Sequence, residues 1–347
     1  DLDRYEAAAR RFARWQAEGV LRQDPTPSLY GYRMAYSDEA GMARQTIGVI
    51  GALGLEPPGT AGIFPHERTT PKAKSDRLQL LAATRVNTSP IWGLSLAAGL
   101  SDALAAPDSS VPVVDADGIE HQLWPITDGD ARAWISTAVS DAPLVIADGH
   151  HRFETALTYQ ARRKEDDNGA GSPRSYDSVM ALVVELAESQ LSVQAIHRLI
   201  TALPPGFDLV AALADSFVLT PIEYMAAEAG LLERMVQADS MALITPSGEW
   251  LLHPKPDTTS SASQDLDSSR LEVALAALPK HEVTYQHGLD RARRAVERGE
   301  AQAAVLLRPV TVEQIASTGR GGERMPPKTT FFWPKPRTGF VFREVAD

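Results

Sequence analysis

The sequence predicts an α/β protein, with an α+β arrangement as the alternative. Three observations carry this. Helix-period and strand-period blocks alternate from one end of the chain to the other, as they do in layered sheet-and-helix domains. The 347 residues are 44% hydrophobic and 23% charged, a globular profile with enough chain for one large or two ordinary domains. No block repeats at a fixed period.

The elements follow in order. Residues 1–21 read as an amphipathic helix rather than a signal peptide. SLYGYRMAY and RQTIGVIGAL read as strands joined by the turn-rich SDEAGMA. Residues 65–77, PHERTTPKAKSDR, lack helical periodicity and read as a loop; RLQLLAATRV after them reads as helix and SPIWGLSL as strand. VVDADGIEHQLWPI holds the Asp117-Gly118 signal of a tight hairpin. AWISTAVS is a helix leading to the strand LVIA at 144–147. A helix follows with Phe153, Ala156, Leu157 and Ala161 at core-facing spacing, then a polar loop at 164–175 and the strands SVMALVVELA and LSVQAIHRL. Beyond these, VAALADSF, AAEAGLLERMVQA, SMALITPSGEWLLHP, SRLEVALAAL, LDRARRAVERG, QAAVLLRPV and TVEQIAS alternate between the two periods. Residues 255–269 are the most linker-like piece. The reading is a first domain over 1–203 and a second α/β domain over 204–347, whose end at 320–347 returns to the site of the first.

The chain carries a net charge of −11 and a pI near 5.3, which argues against general nucleic-acid binding and leaves small phosphorylated ligands open. It has no cysteine, so thiol nucleophiles, disulfides and cysteine-rich zinc sites are excluded. Its apolar stretches are too short to span a bilayer, so no membrane partner and a cytoplasmic location are expected. His66-Glu67 begins like a zincin signature, but Thr70 stands where the second histidine is needed. There is no Gly-x-Ser-x-Gly elbow, Walker loop or Gly-x-Gly-x-x-Gly fingerprint.

The most informative stretch is LVIADGHHRFET at 144–155, in which a buried-strand run breaks at Asp148-Gly149 and a helix begins with His150, His151 and Arg152. Cations in a first helical turn oppose the macrodipole, so an anion is expected beside them. Exposed first-turn N–H groups, a glycine and an Arg fork make a phosphate cradle. The same string also reads as a plain strand-to-helix turn, with Asp148 as N-cap and the histidines on the surface. Two basic islands add weight to the cradle. One is 65–77, with Arg68, Lys72, Lys74 and Arg77; the other is 320–337, with Arg320, Arg324, Lys328, Lys335 and Arg337. His197-Arg198 follows an apolar strand and either adds a cation to the site or is structural. Phe331-Phe332-Trp333 reads as core strand ahead of a base-stacking platform. His121, His253, His281 and His287 suggest surface or packing roles.

ADGHHRFETAL, PHERTTPKAKSDR followed by NTSPIWGL, AIHRLI and MPPKTTFFWPKPRTGFVF occur in an order that resembles domain-of-unknown-function family 1015 over nearly the whole chain. That family usually carries a further N-terminal segment with a Pro-Pro-Tyr-Asp motif, which this sequence, starting at Asp1, does not show. The DGHHR turn is also similar to the phosphate-binding turn of the ParB and sulfiredoxin-like superfamily, which includes free-serine kinases. This second resemblance covers the first half only. It implies a ParB/sulfiredoxin-like fold there, with Gly149, His150, His151 and Arg152 on the donor phosphates, His151 also a catalytic candidate, and Glu67 as base toward a serine hydroxyl.

On that reading His66, Arg68, Thr69, Lys72, Arg77, His197, Arg198, Lys328 and Lys335 are further donor-binding candidates. Asp148 either holds Mg²⁺ or caps the helix. The implied activity is phosphoryl transfer from ATP, ADP or pyrophosphate, with Mg²⁺, to a small hydroxyl metabolite, L-serine first. The alternatives are a ParB-type nucleotide-binding regulatory module without catalysis, and a phosphohydrolase. A homodimer is compatible with each.

Overall fold

Helix α1 (Asp3–Ala17) opens the chain, with Asp3 and Glu6 in its first turn and Arg14 in its last, the order that suits the helix dipole. Strands β1 (Leu29–Ser37) and β2 (Ala43–Gly54) form the expected antiparallel hairpin, with Tyr30 opposite Ile50. Next come β3 (Ile63–Pro65), α2 (Pro71–Thr84), β4 (Val86–Asn87) and β5 (Ile91–Ser95). β6 (Val113–Val114) and β7 (Glu120–Ile126) flank the Asp117-Gly118 turn, where Gly118 takes φ +78°. α3 (Gly129–Ser140) is capped by Asp128, which accepts from the Ala131 N–H at 2.8 Å. It leads to β8 (Leu144–Asp148), α4 (His150–Asp166) and β9 (Ser178–Glu185). The structure, a computed structural model, describes residues 3–38, 41–56, 62–65, 71–107, 110–166, 174–222, 228–321 and 325–345.

The strands of this first unit form an eight-stranded mixed sheet in the order β3-β8-β5-β9-β2-β1-β7-β6. β3 runs parallel to β8 and β5 parallel to β9, while the other pairs are antiparallel. β5, β8 and β9 are buried along nearly their whole length, which is why their sequences are continuous apolar runs and not alternating ones. Helix α4 sets Phe153 and Ala156 in one core with Ile91, Leu144 and Ile146. The expected stripe holds at Phe153, Ala156 and Leu157 but not at Ala161, which is exposed. Thr155 and Tyr159 are buried instead, and Tyr159 packs with Leu81, Tyr176 and Val345.

The second unit begins with β10 (Ser192–Thr201) and continues through α5 (Leu209–Leu213), β11 (Phe217–Pro221), α6 (Glu228–Gln237), β12 (Met241–Thr245), β13 (Gly248–Pro254), α7 (Pro256–Ser261), α8 (Asp267–Ala276), β14 (Glu282–His287), α9 (Leu289–Glu297) and β15 (Ala303–Leu306). α10 (Val312–Gly321), β16 (Thr330–Trp333) and β17 (Arg343–Glu344) complete the chain. The strands order as β11-β13-β12-β15-β10-β14, with β16 also on β10. Strand periodicity sorts this unit into two cores: on β15, Ala303 and Val305 join one, Ala304 and Leu306 the other. Met241 and Leu243 against Ala242 and Ile244 do the same on β12.

The first unit comprises residues 1–192, 316–324 and 334–347, the second 193–315 and 325–333. Both are mixed α/β. Residues 193–203, read with the first domain, belong to the second sheet because β10 pairs with β14, β15 and β16. The end of the chain lies in the first unit, where β17 pairs with β4.

Two loops expected from composition contain helix. α2 starts at Pro71, inside the 65–77 segment, because proline at a first helical position loses no hydrogen bond. The linker-like 255–269 holds α7 and the start of α8. Some of its polar residues are buried with specific bonds: Thr258 Oγ1 donates to Ser216 O at 2.8 Å, and Ser268 Oγ lies 3.0 Å from Thr329 Oγ1. Among the described residues no helix is long and apolar enough to cross a membrane.

Candidate functional site

The site is built where β8 ends. Its pairing with β5 slips by one residue there, Gly93 facing Ile146 but Trp92 facing Asp148. Such a bulge re-aims the side chains beyond it. Gly149 then takes φ +90°, a conformation open to glycine, so that strand passes into helix within one residue. The first turn of α4 carries no acidic residue.

Asp148 is held by two cations. Arg152 Nη2 donates to its Oδ2 at 2.7 Å, and Lys335 Nζ, 187 residues along the chain, donates to Oδ1 at 2.8 Å. The second end of the Arg152 guanidinium donates to Pro90 O at 2.7 Å. A pocket of about 210 Å³ lies over these groups, lined by Pro90, Trp92, Asp148, Arg152, Lys335 and Thr338 among others. That is below the range of about 300–1,000 Å³ usual for whole drug-sized ligands, so it suits one end of a larger molecule.

Among the described residues, positive charges dominate around Asp148. Burial by itself would raise the Asp148 carboxyl, but Lys335, Arg152 and His150 outweigh it and hold the group below the usual carboxylate range. Burial lowers the Arg152 guanidinium, Asp148 opposes that, and Arg77 lowers it further by repulsion. Among the described residues, then, Lys335, Arg152 and His150 act on the one carboxylate, and Arg77 acts on Arg152. By helix geometry the leading N–H groups of α4 also lack intrahelical partners.

Of the sequence candidates, Asp148, Gly149, His150, His151, Arg152 and Lys335 come together here, with Arg77 of α2 close enough to act on Arg152. His150 is buried and His151 half-buried. His66, Glu67, Arg68 and Thr69 lie outside the described residues. Lys72 is on α2. Lys328, His197 and Arg198 belong to the second unit.

Within that unit Lys328 is exposed, at φ +59°. His197 is buried, lies 3.3 Å from the Leu307 N–H as its acceptor through Nδ1, and is pushed down to about 4 by burial and by its neighbours Arg198 and His287. Arg198 donates to Ile196 O and lies over the Tyr285 ring. Phe332 is buried in β16, so the aromatic run is strand.

The described residues do not fit Mg²⁺ on Asp148. Both carboxylate oxygens are already occupied by cations, and among the described residues no group of three or more potential ligands converges. Sequence reasoning missed Pro90, whose carbonyl receives Arg152, and Trp92, Pro336 and Thr338 in the pocket wall. It also missed the set Tyr32, Asp115, His121 and Arg337. The strings NTSPIWGL and WPKPRTGF contain five of these eight, but nothing local ties them to DGHHR.

No curated protein matches the sequence. Among solved structures the chain is similar to free serine kinase in complex with AMP, at 14% identity and a TM-score of 0.40, over 82% of this chain and 86% of that one. It is similar to a conserved hypothetical protein from Pyrococcus furiosus at 16% identity and a TM-score of 0.39, over 82% and 90%. A third similar structure is SbnI with a C-terminal truncation from Staphylococcus aureus, at 12% identity and 0.41, over 82% of each chain. Residues 1–273 match the family described as protein of unknown function, DUF1015, and the chain belongs to that family.

Proposed function

We propose that the turn from Asp148 to Arg152 binds the phosphoryl end of a donor, and that the first unit transfers a phosphoryl group to a small hydroxyl metabolite, free L-serine being the first candidate. One observation carries the reading: Arg152 and Lys335 meet on a single carboxylate at the N-terminus of a helix with no acid in its first turn, with Arg77 near enough to act on Arg152. Phosphoryl transfer asks mainly for positioning and for neutralisation of phosphoryl oxygens, which such a cluster supplies.

The acceptor hydroxyl oxygen forms the new bond to phosphorus, the bond to the leaving oxygen breaks, and the hydroxyl proton passes to a carboxylate base. Glu67 is the assigned base. The five residues 66–70 join Pro65, paired one strand away with Ile146, to α2, whose Arg77 acts on Arg152. The Pro65 end of that connection therefore lies on the strand beside β8, two positions before Asp148 in register. The donor is ATP, ADP or pyrophosphate, with the phosphoryl end in the pocket and any nucleoside outside it.

The test is phosphorus NMR of the full chain with Mg²⁺ and ATP, ADP or pyrophosphate, each with and without L-serine. Phosphoserine is the expected product and names the donor. Phosphate released equally without serine would assign a phosphohydrolase. A nucleotide bound but unconverted would assign a regulatory nucleotide-binding module.

A further inference from the structure

Tyr32 on β1 and His121 on β7 are each only 1% exposed, and their rings stack 8° from parallel. Tyr32 Oη lies 2.8 Å from His121 Nδ1, and His121 Nε2 lies 2.9 Å from Asp115 Oδ2. The Arg337 N–H donates to Tyr32 Oη at 3.2 Å, and its Nε donates to Asp115 Oδ2 at 2.5 Å. Its Nη2 also reaches Asp117, and Phe340 covers both rings at 5.6–5.7 Å.

For a neutral imidazole the hydrogens on this ring follow by counting. An ionised carboxylate only accepts, and His121 and Arg337 hold Asp115 far below the usual carboxylate range, so Nε2 of His121 carries hydrogen and donates. With the imidazole neutral, Nδ1 is the acceptor and Tyr32 donates to it. Burial, partly offset by the Arg337 N–H, pushes the Tyr32 hydroxyl up to about 12, so it keeps that hydrogen. The chain of bonds begins and ends on Arg337, from its main-chain N–H through Tyr32, His121 and Asp115 back to its guanidinium.

Arg337 stands two residues after Lys335, and prolines at 334 and 336 restrict the backbone between them. We propose that Tyr32, His121 and Asp115 are positioning residues for Lys335: the buried ring fixes residues 334–338 so that Lys335 meets Asp148 and the phosphoryl group bound there. The binding part rests on the phosphate reading above; the clamp itself does not.

The test uses full-length protein, with inorganic pyrophosphate and ADP as probes. Tyr32→Phe removes one oxygen and both of its links. A misplaced charge-assisted bond corresponds to about tenfold in Kd, so Tyr32→Phe is expected to weaken pyrophosphate about tenfold. Lys335→Ala should do at least as much, and the double variant no more than Lys335→Ala alone. Hydrogen exchange at the Arg337 and Thr338 amides should rise in Tyr32→Phe while that of β8 stays unchanged.

Wild-type affinity in folded Tyr32→Phe, or additive losses in the double variant, would overturn the positioning role. If Tyr32→Phe does not fold, Arg337→Gln on the exposed side of the ring carries both measurements, with the same expected and overturning results. If the wild type binds neither probe, the phosphate reading fails, and with it the binding half of this proposal. The exchange result then decides the clamp alone: unchanged exchange at 337–338 refutes it.

Discussion

Gly149→Ala is the sharpest test of the turn. At φ +90° an alanine pays about 1–2 kcal/mol for the left-handed backbone. Its Cβ would also sit 3.0 Å from both Nε and Nη2 of Arg152 and 3.1 Å from Ile91 Cγ2. The guanidinium must then give by a few tenths of an ångström, which strains its bonds to Asp148 and Pro90 O and at most costs one of them. A hydrogen bond to a charged group contributes about 1.5–3 kcal/mol. The Arg152 and Asp148 side chains are 30% and 35% exposed, so solvent screening brings the loss here to about 1 kcal/mol.

Gly118→Ala supplies the control. Gly118 has φ +78° and nothing within 4 Å of an added Cβ, so it isolates the backbone cost. At about 2–4 °C per kcal/mol for a unit of this size, Gly149→Ala should melt about 2–4 °C below Gly118→Ala. Calorimetry of the two variants against wild type measures that gap, and titration with pyrophosphate measures affinity. Affinity should fall about tenfold in Gly149→Ala only, the equivalent of one charge-assisted bond. Equal melting shifts with equal affinities would refute the claim that Gly149 is kept glycine for the sake of Arg152.

Three further outcomes are expected. Asp148→Asn should cost about 1–2 kcal/mol at neutral pH, after discounting for a side chain about one-third exposed, as measured by urea unfolding. Because the folded carboxyl sits below its unfolded value of about 3.9, this contribution is present above that value and is lost as pH falls through the folded one, so the gap between variant and wild type closes in acid. Glu67→Gln should abolish phosphoserine formation while leaving ADP affinity within about twofold, since a base acts on the acceptor and not on the donor; an active variant would remove Glu67 from the mechanism. His197 is pushed down to about 4, so the unfolded state takes up a proton first and wild-type stability falls as pH drops from about 6.5 toward 4. His197→Gln should flatten that slope, and an unchanged slope would show that His197 is not its source.

What the sequence makes legible here is local. The hairpin of β1 and β2, the Asp117-Gly118 turn and the strand LVIA followed by a helix are each signalled by residues within a few positions of one another. The misreadings have a common cause. At 65–77 and 255–269, polar and proline-rich composition suggested loop, yet Pro71 starts a helix and Thr258, Ser268 and Ser269 are buried by hydrogen bonds that hydropathy cannot register. The border at 203 followed the run of the chain, but β10 is claimed by partners that arrive about 80 residues or more later, at Glu282–His287 and Ala303–Leu306. Of the candidate site, DGHHR was visible because its chemistry lies in one turn. The pairing of Asp148 with Lys335 was not, because no pattern in the sequence specifies which basic residue of the 320–337 segment reaches back.

That pairing also answers an apparent contradiction, a carboxylate at the centre of a pocket read as anion-binding. Arg152 brings five N–H donors in a rigid fork, and two of its bonds go to Asp148 and Pro90 O. Asp148 thereby fixes the plane of the guanidinium before any ligand arrives, and it draws Lys335 to the same point from a remote segment. Among the described residues one negative charge thus organises two positive ones, with its donors already aimed. Donors aimed in advance need no reorganisation when charge develops on a phosphoryl oxygen, and that is where electrostatic catalysis gains most. A neutral residue at 148 would leave more positive charge but less order. The cost of Asp148→Asn should therefore appear more strongly in the discrimination of pyrophosphate from sulfate than in the total affinity for anions.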